Sequence, residues 1–349
     1  MGFNFSQSRQ LQSDSFDIEM VATSIAKVQK RNGEIPWTEG DKTDPWDHVE
    51  AAMGLCVAGH YEKTRMAFEW LSNIQLDDGS FYAEYQDGKP SVLRRDANMS
   101  TYIAVGLFHY YLITRDTAFV ERMWDTMEAA IEFGISLQRD SGEIMWAIMP
   151  DGEIDQMALL TGSSSIYMSF KCALAIADVL EKSRPGWITA MENLENAIRH
   201  RPHLFNMTKS RYSMDWFYPV LSGAITGDVA GKRIEQYWKK FVIEGQGVRC
   251  VSDRPWVTIA ETSEFCLALA AMGKTGLSEI IFNWIIDKHY EDGAYWCGYT
   301  FPDMVIWPEE KTSWTDGVVL MAADSLYELT PACRMFDHKF WQERKKAFV

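Results

Sequence analysis

Tyr61-Glu-Lys-Thr-Arg-Met-Ala-Phe-Glu-Trp-Leu-Ser-Asn-Ile-Gln-Leu-Asp-Asp-Gly-Ser-Phe81 decides the fold: an amphipathic helical stretch runs into an Asp-Asp-Gly turn, and an aromatic residue follows at once. Charged side chains fall on one side of the helical part, the signature of a helix with one solvated face. The same turn with its trailing aromatic recurs in Asn32-Gly-Glu-Ile-Pro-Trp37, Ser141-Gly-Glu-Ile-Met-Trp146 and Asp292-Gly-Ala-Tyr-Trp296. A degenerate repeat of this kind points to stacked hairpin units and does not require strands.

Working outward, apolar residues at a 3.6-residue period, with caps and breakers, predict helices over 16–30, 46–59, 61–75, 97–114, 117–138, 162–181, 186–201, 213–226, 231–242, 257–272, 275–290 and 312–328. Odd members such as Thr117-Ala-Phe-Val-Glu-Arg-Met-Trp-Asp-Thr-Met127 are amphipathic and read as an outer ring. Even members such as Ala51-Ala-Met-Gly-Leu-Cys-Val-Ala58 and Leu267-Ala-Leu-Ala-Ala-Met272 are small and apolar all round, as buried inner helices should be. Even-to-odd joints are short (Gly59-His60, Arg115-Asp116, Gly273-Lys274), so consecutive helices must be antiparallel, and the long odd-to-even loops gather at one end. The expected fold is all-α, an (α/α)6 barrel or toroid of six helical hairpins. It is expected to form one domain over 1–349 with a short C-terminal helix near 338–347; two helical halves are the alternative division.

Composition narrows the function. With 47% hydrophobic residues in a chain of 349, a large core is available. The formal net charge of −15 repels nucleic acid and anionic membrane surfaces, and no basic stripe offsets it. No uncharged apolar run nears the roughly 18–20 residues of a membrane span, and the start shows no leader pattern, so stable membrane insertion is not expected and a cytoplasmic location is. Six scattered cysteines without a CxxC pair signal neither a zinc cluster nor a disulfide framework. No metal-binding or cofactor motif stands out, so no metal and no cofactor are expected.

Chemistry is expected among the long loops and the inner-helix N-termini, where unpaired N–H groups favour carboxylates and anions. Asp44-Pro-Trp-Asp-His-Val-Glu50 sets Asp47, His48 and Glu50 in the first turn of an inner helix. Trp256-Val-Thr-Ile-Ala-Glu-Thr-Ser-Glu264 sets Glu261 and Glu264 on one helical face, a spacing that suits an acid/base pair. Trp307-Pro-Glu-Glu-Lys-Thr-Ser-Trp314 joins carboxylates to two indoles, and burial against indole raises a carboxyl pKa toward that of a general acid. Glu261 and Glu309 are the expected catalytic pair, with Asp47, Glu50 and Asp215 as rivals. Trp37, Trp46, Trp146, Tyr212, Trp216, Trp256, Tyr295, Trp296, Trp307 and Trp314 supply flat rings for a sugar face or a carbocation. His48 and His109 are the histidines expected to face the funnel. Arg249 and Arg254, in the same loops as Arg211, could grip an anionic substrate group, and Glu264 could contact substrate directly.

Trp70-Leu-Ser-Asn-Ile-Gln75-Leu-Asp-Asp-Gly79-Ser-Phe81 resembles the QW repeat of squalene-hopene-type terpenoid cyclases, with Phe81 where that motif has Trp. That resemblance implies the toroid shared by terpenoid cyclases and protein prenyltransferases. The chain shows no DxDD and no DDxxD motif. A second, more diffuse similarity, carried by segments such as Thr114-Arg-Asp116 with Phe119, Met123 and Trp124, is to six-hairpin glycosidases, whose helical barrel holds an acidic, Trp-rich cleft. The expected function is a carbohydrate-active enzyme that hydrolyses a glycosidic bond with two carboxyl groups. An isoprenoid-processing enzyme and a non-catalytic sugar- or lipid-binding toroid are the alternatives. The expected partner is a small-molecule substrate, an oligosaccharide or an isoprenoid.

Overall fold

The computed structural model describes residues 16–347. Its helices are α1 (Ile18–Val28), α2 (Pro45–Val57), α3 (Tyr61–Ile74), α4 (Ala97–Thr101), α5 (Ile103–Thr114), α6 (Thr117–Arg122), α7 (Trp124–Ser136), α8 (Leu160–Val179), α9 (Pro185–His200), α10 (Ser213–Leu221), α11 (Gly227–Phe241), α12 (Ile259–Ala271), α13 (Thr275–Ile285), α14 (Ser313–Tyr327) and α15 (His338–Ala347). Two of the expected long helices carry a one-residue break. Tyr102 separates α4 from α5, and Met123 separates α6 from α7, each staying close to helical geometry.

Six inner members, α2, α4–α5, α8, α10, α12 and α14, pack each against the next, and α14 returns to α2 to close the ring. Closure is tightest between α2 and α14. Gly54 and Gly317 leave so little room there that a Cβ on Gly317 would sit 2.4 Å from the Glu50 carbonyl oxygen. The inner helices are buried nearly all round, whereas outer α3, α9 and α11 bury only one stripe. None of the described helices is long and apolar enough to cross a membrane.

The outer ring is tied together by a repeated device. At the C-terminal end of three outer helices a glutamine bonds both its own turn and the next outer helix. Gln29 donates to the carbonyls of Gly33 (3.1 Å) and Lys63 (2.8 Å), Gln75 to Gly79 (2.9 Å) and Thr126 (2.8 Å), and Gln138 to Gly142 (3.0 Å) and Ala190 (2.9 Å). The turn glycine then lies against the neighbour's backbone: Gly79 has φ +85° and a Cβ there would fall 2.1 Å from the Ala129 carbonyl oxygen. Gly293 makes the corresponding approach to Met20 of α1, which joins the last outer helix to the first.

Strands, which the repeat did not require, are present in the long loops. They are β1 (Glu84–Gln86), β2 (Lys89–Val92), β3 (Arg95–Asp96), β4 (Ala147–Ile148), β5 (Val242–Ile243), β6 (Gly247–Arg249), β7 (Trp256–Thr258) and β8 (Gly298–Thr300). The last four form one antiparallel sheet in the order β5-β6-β7-β8. Strand pairing and β-branched residues such as Val248, Val257 and Thr258 let loop chain be buried beside α12 with ladder hydrogen bonds between its backbone groups.

The glycine contact gives a discriminating test. Gly79→Ala should lower unfolding free energy by about 3 kcal/mol or more, because backbone must move, while Gly40→Ala, at φ +78° with nothing within 4 Å, should cost only about 1 kcal/mol. Urea unfolding of both variants checks this; equal losses would show that φ alone, and not the helix contact, governs Gly79.

Candidate active site

All six inner helices begin at the long-loop end, so equivalent positions form layers across the funnel. The sixth residues are Glu50 of α2, Tyr102 after α4, Ser165 of α8, Tyr218 of α10, Glu264 of α12 and Val318 of α14. Trp46 fills the middle of this layer. Its ring lies 5.1 Å from Tyr102 and 5.6 Å from Tyr218, which belongs to the helix on the opposite side of the ring. The Trp46 indole N–H donates to Glu50 Oε1 at 2.7 Å, Tyr102 OH donates to the same oxygen at 3.2 Å, and Tyr218 OH donates to Glu264 Oε1 at 2.5 Å. Two buried glutamates thus stand in the floor, each held by its own hydrogen bonds, with Trp46 packed between the two sets.

One layer above stand the third residues Asp47 and Glu261, with Asp44 at the rim. Asp44 caps α2 through the Asp47 N–H (2.9 Å), with Pro45 in the first helical position, and accepts the Trp37 indole N–H at 2.7 Å. Asp47 is half-buried, and Glu261 is buried with one carboxylate oxygen lacking any hydrogen-bond partner. Indole N–H groups of Trp146 and Trp314 are likewise buried without partners. Trp314 packs on Trp37 at 6.3 Å.

Five carboxyl groups therefore share one end of the barrel, and they act on one another: Asp47 feels Asp44, Glu50 and Glu264, while Glu264 feels Glu50 and Glu261. Lys42 is the cation whose charge reaches Asp44. Burial first, and then these like charges, push Asp47 and Glu264 well above the ordinary carboxyl range. Burial pushes Glu50 up to about 8 even though Trp46 and Tyr102 pull it down. Burial and the neighbouring Glu261 carboxylate also hold the Cys250 thiol far above its usual range, so that thiol stays protonated beside Glu261.

Several expected site residues lie elsewhere. The premise for Glu309 fails, because it is exposed on a loop where Trp307 is itself 57% exposed, so burial against indole does not operate there. His48 does not face the funnel: its Nδ1 accepts the Ile35 N–H (3.1 Å), its Nε2 donates to the Ala67 carbonyl (2.9 Å), and the ring packs on Trp70. His109 is buried deep along α5, where desolvation lowers its pKa to about 3. Trp216 is sandwiched between Phe241 and Phe265 and donates to the Arg233 carbonyl, so it joins inner to outer helix. Tyr295 is core, with its hydroxyl on the Ile286 carbonyl at 2.9 Å. Asp215 caps the neighbouring helix α8 through Thr161 N–H (3.2 Å) and Oγ1 (2.6 Å).

At the rim, Tyr212 lies beside Arg211 and Arg254 is exposed. Arg249 bonds the Ser252 carbonyl and stacks on Phe301, Trp256 donates to the Trp307 carbonyl at 2.7 Å, and Trp296 packs edge-on to Tyr299. Tyr102 escaped sequence reading. Its signal, the same sixth position as Glu50 and Glu264, requires helix starts known to the residue.

A toroid with a desolvated carboxyl cluster in an aromatic funnel defines the class as glycoside hydrolase. The comparisons with known proteins agree. No family model matches the chain. The chain is 45% identical over 315 residues, 90% of its length and 87% of the relative's, to the MMP endo-(1,4)-3-O-methyl-α-D-mannosidase of Mycolicibacterium hassiacum. It belongs to the glycoside hydrolase family of that mannosidase. Among solved structures, a GH63 mannosylglycerate hydrolase from Thermus thermophilus with Tris and D-glycerate superposes with a TM-score of 0.69 at 10% identity, covering 87% of this chain and 99% of the other. A glycosidase variant in complex with glucose gives 0.67 at 13% identity, covering 95% and 100%. Both likenesses show the fold.

The charge cluster predicts a pH dependence of stability. Glu50 titrates near its ordinary value of 4.5 when unfolded and at about 8 when folded, so the folded state binds more protons between these values and stability falls as pH rises through that window. Thermal melts from about pH 5 to about pH 8 should show this decline, with a shallower slope in Glu50→Gln. A variant slope identical to the parent's would mean that Glu50 takes up no proton on folding.

Proposed function

We propose that the chain hydrolyses internal α-(1→4) linkages in mannose chains bearing 3-O-methyl groups, the activity named for its Mycolicibacterium hassiacum relative. Asp47 is the general acid and Glu261 the general base. Support for Asp47 comes from the one feature that carries this reading: burial and three neighbouring carboxyl groups push this half-buried acid well above the ordinary carboxyl range, which favours the protonated form a general acid needs. It can pass that proton to the glycosidic oxygen as the bond to the anomeric carbon breaks. Glu261, with an unpartnered oxygen, takes a proton from the water whose oxygen attacks that carbon.

Glu50 and Glu264 are positioning residues in the floor, locked by Trp46, Tyr102 and Tyr218. Trp37, Trp146 and Trp314 at the rim offer indole faces to sugar rings, and methyl ethers enlarge the apolar area those faces can cover. Five carboxyl groups make this end of the barrel polar, where an isoprenoid would need an apolar cavity. The six unpaired cysteines suit a reducing compartment, in keeping with a cytoplasmic enzyme.

Kinetics on α-(1→4)-linked 3-O-methylmannose oligosaccharides test the assignment. Asp47→Asn and Glu261→Gln should each lower kcat by roughly 10³-fold or more, with Glu309→Gln within about threefold of the parent. Full activity in either of the first two variants would remove that residue from the pair; product lengths separate internal from terminal cleavage.

A further inference from the structure

Opposite the funnel, at the short-joint end, the C-terminal helix α15 lies against α8 and leaves a cavity of about 520 Å3 between α8, α9 and α15. That volume lies within the range of small-molecule sites. Its Lys171 lies six residues beyond Ser165 of the funnel floor on α8, about 9 Å further down the barrel at 1.5 Å per residue.

The lining joins two chemistries. Leu174, Ile188, Met191 and Trp341 make apolar walls, and Ile188 is 44% exposed at the edge. Five basic side chains, Lys171, Lys182, Arg184, Arg199 and Arg344, face three acidic ones, Asp178, Glu192 and Glu195, although the whole chain carries a net charge of −15. Arg184 is held by Glu128 and Arg199 by Glu195. Lys171 is buried, donating to the Ser222 carbonyl at 2.7 Å with its ammonium 4.4 Å from the Trp341 ring. Arg344 stands 3.6 Å from Asp178, and its buried Nε has no hydrogen-bond partner.

A local excess of positive charge beside apolar walls, with an unpartnered guanidinium N–H, is complementary to one kind of small molecule. We propose that this cavity is a second ligand site, separate from the funnel, for an amphiphile with one anionic head group and an aliphatic body. The head sits at Arg344 within the field of Lys171, and the body lies along Leu174, Ile188, Met191 and Trp341.

Calorimetric titration of the full-length protein with decanoate, decanol and inorganic phosphate tests the site. Decanoate should bind one-to-one, with decanol and phosphate at least tenfold weaker. Arg344→Gln should weaken decanoate about tenfold, and Ile188→Asp should abolish binding by placing a carboxylate on the apolar wall. Ile188 is 44% exposed, so Ile188→Asp should fold like the parent and report on binding alone. Glu261→Gln should bind decanoate like the parent. Equal binding of decanol or of phosphate, unchanged binding in Arg344→Gln and Ile188→Asp, or loss in Glu261→Gln would each overturn the proposal.

Discussion

Everything in this barrel depends on how closely successive outer helices approach. A glycine turn ends each of four outer elements and lies against the backbone of the next, at distances no Cβ could occupy without displacing a carbonyl. Glutamine side chains at three of these turns convert the contact into hydrogen bonds that serve both the turn and the neighbouring helix. Because each turn fixes one outer helix against the next, it also fixes where the following long loop enters the inner ring. The layers at the mouth are therefore set by contacts at the periphery.

The resemblance to the QW repeat takes on a physical meaning here. Gln75 performs its double bond and Gly79 its close approach irrespective of what the funnel binds, so the segment reports architecture and is silent on chemistry. The same device at Gln29 and Gln138 appears with Trp37 and Trp146 downstream, residues at the mouth. Scaffold and aromatic rim thus come from one repeated stretch of chain.

Much of the fold was legible because helical periodicity and joint length are local properties. Ala51–Val57 and Leu267–Ala271 could only be buried helices, and Gly59-His60 could only be a tight hairpin. Sheet β5–β8 was not legible, since its strands are two or three residues long and are stabilised by packing beside α12. For the site, the acidic first turns of α2 and α12 were legible from spacing. Direction was not: Glu309 and Glu261 look alike in sequence, yet one is exposed and the other buried. His48 and Trp216 sit one or two residues from acids at the mouth, and helical rotation of 100° per residue turns both toward the outer ring.

Helix polarity and burial pull the site carboxyls in opposite directions, and magnitudes decide the result. Six inner helices start at the mouth, and each N-terminus favours a nearby anion by about 0.3–1 kcal/mol, at most about 2 kcal/mol. Removing a carboxylate from water can raise its pKa by about 3–5 units, several kcal/mol, and a second carboxylate nearby adds to that. Asp215 shows the balance with a helix start as partner: it bonds the α8 N-terminus and still titrates above its ordinary range because it is buried. Asp47 has no such donor on its carboxyl and three acidic neighbours, so its proton is held more firmly. The toroid's polarity draws carboxyl groups to the mouth, and burial in the floor around Trp46 holds Asp47, Glu50 and Glu264 above the ordinary carboxyl range.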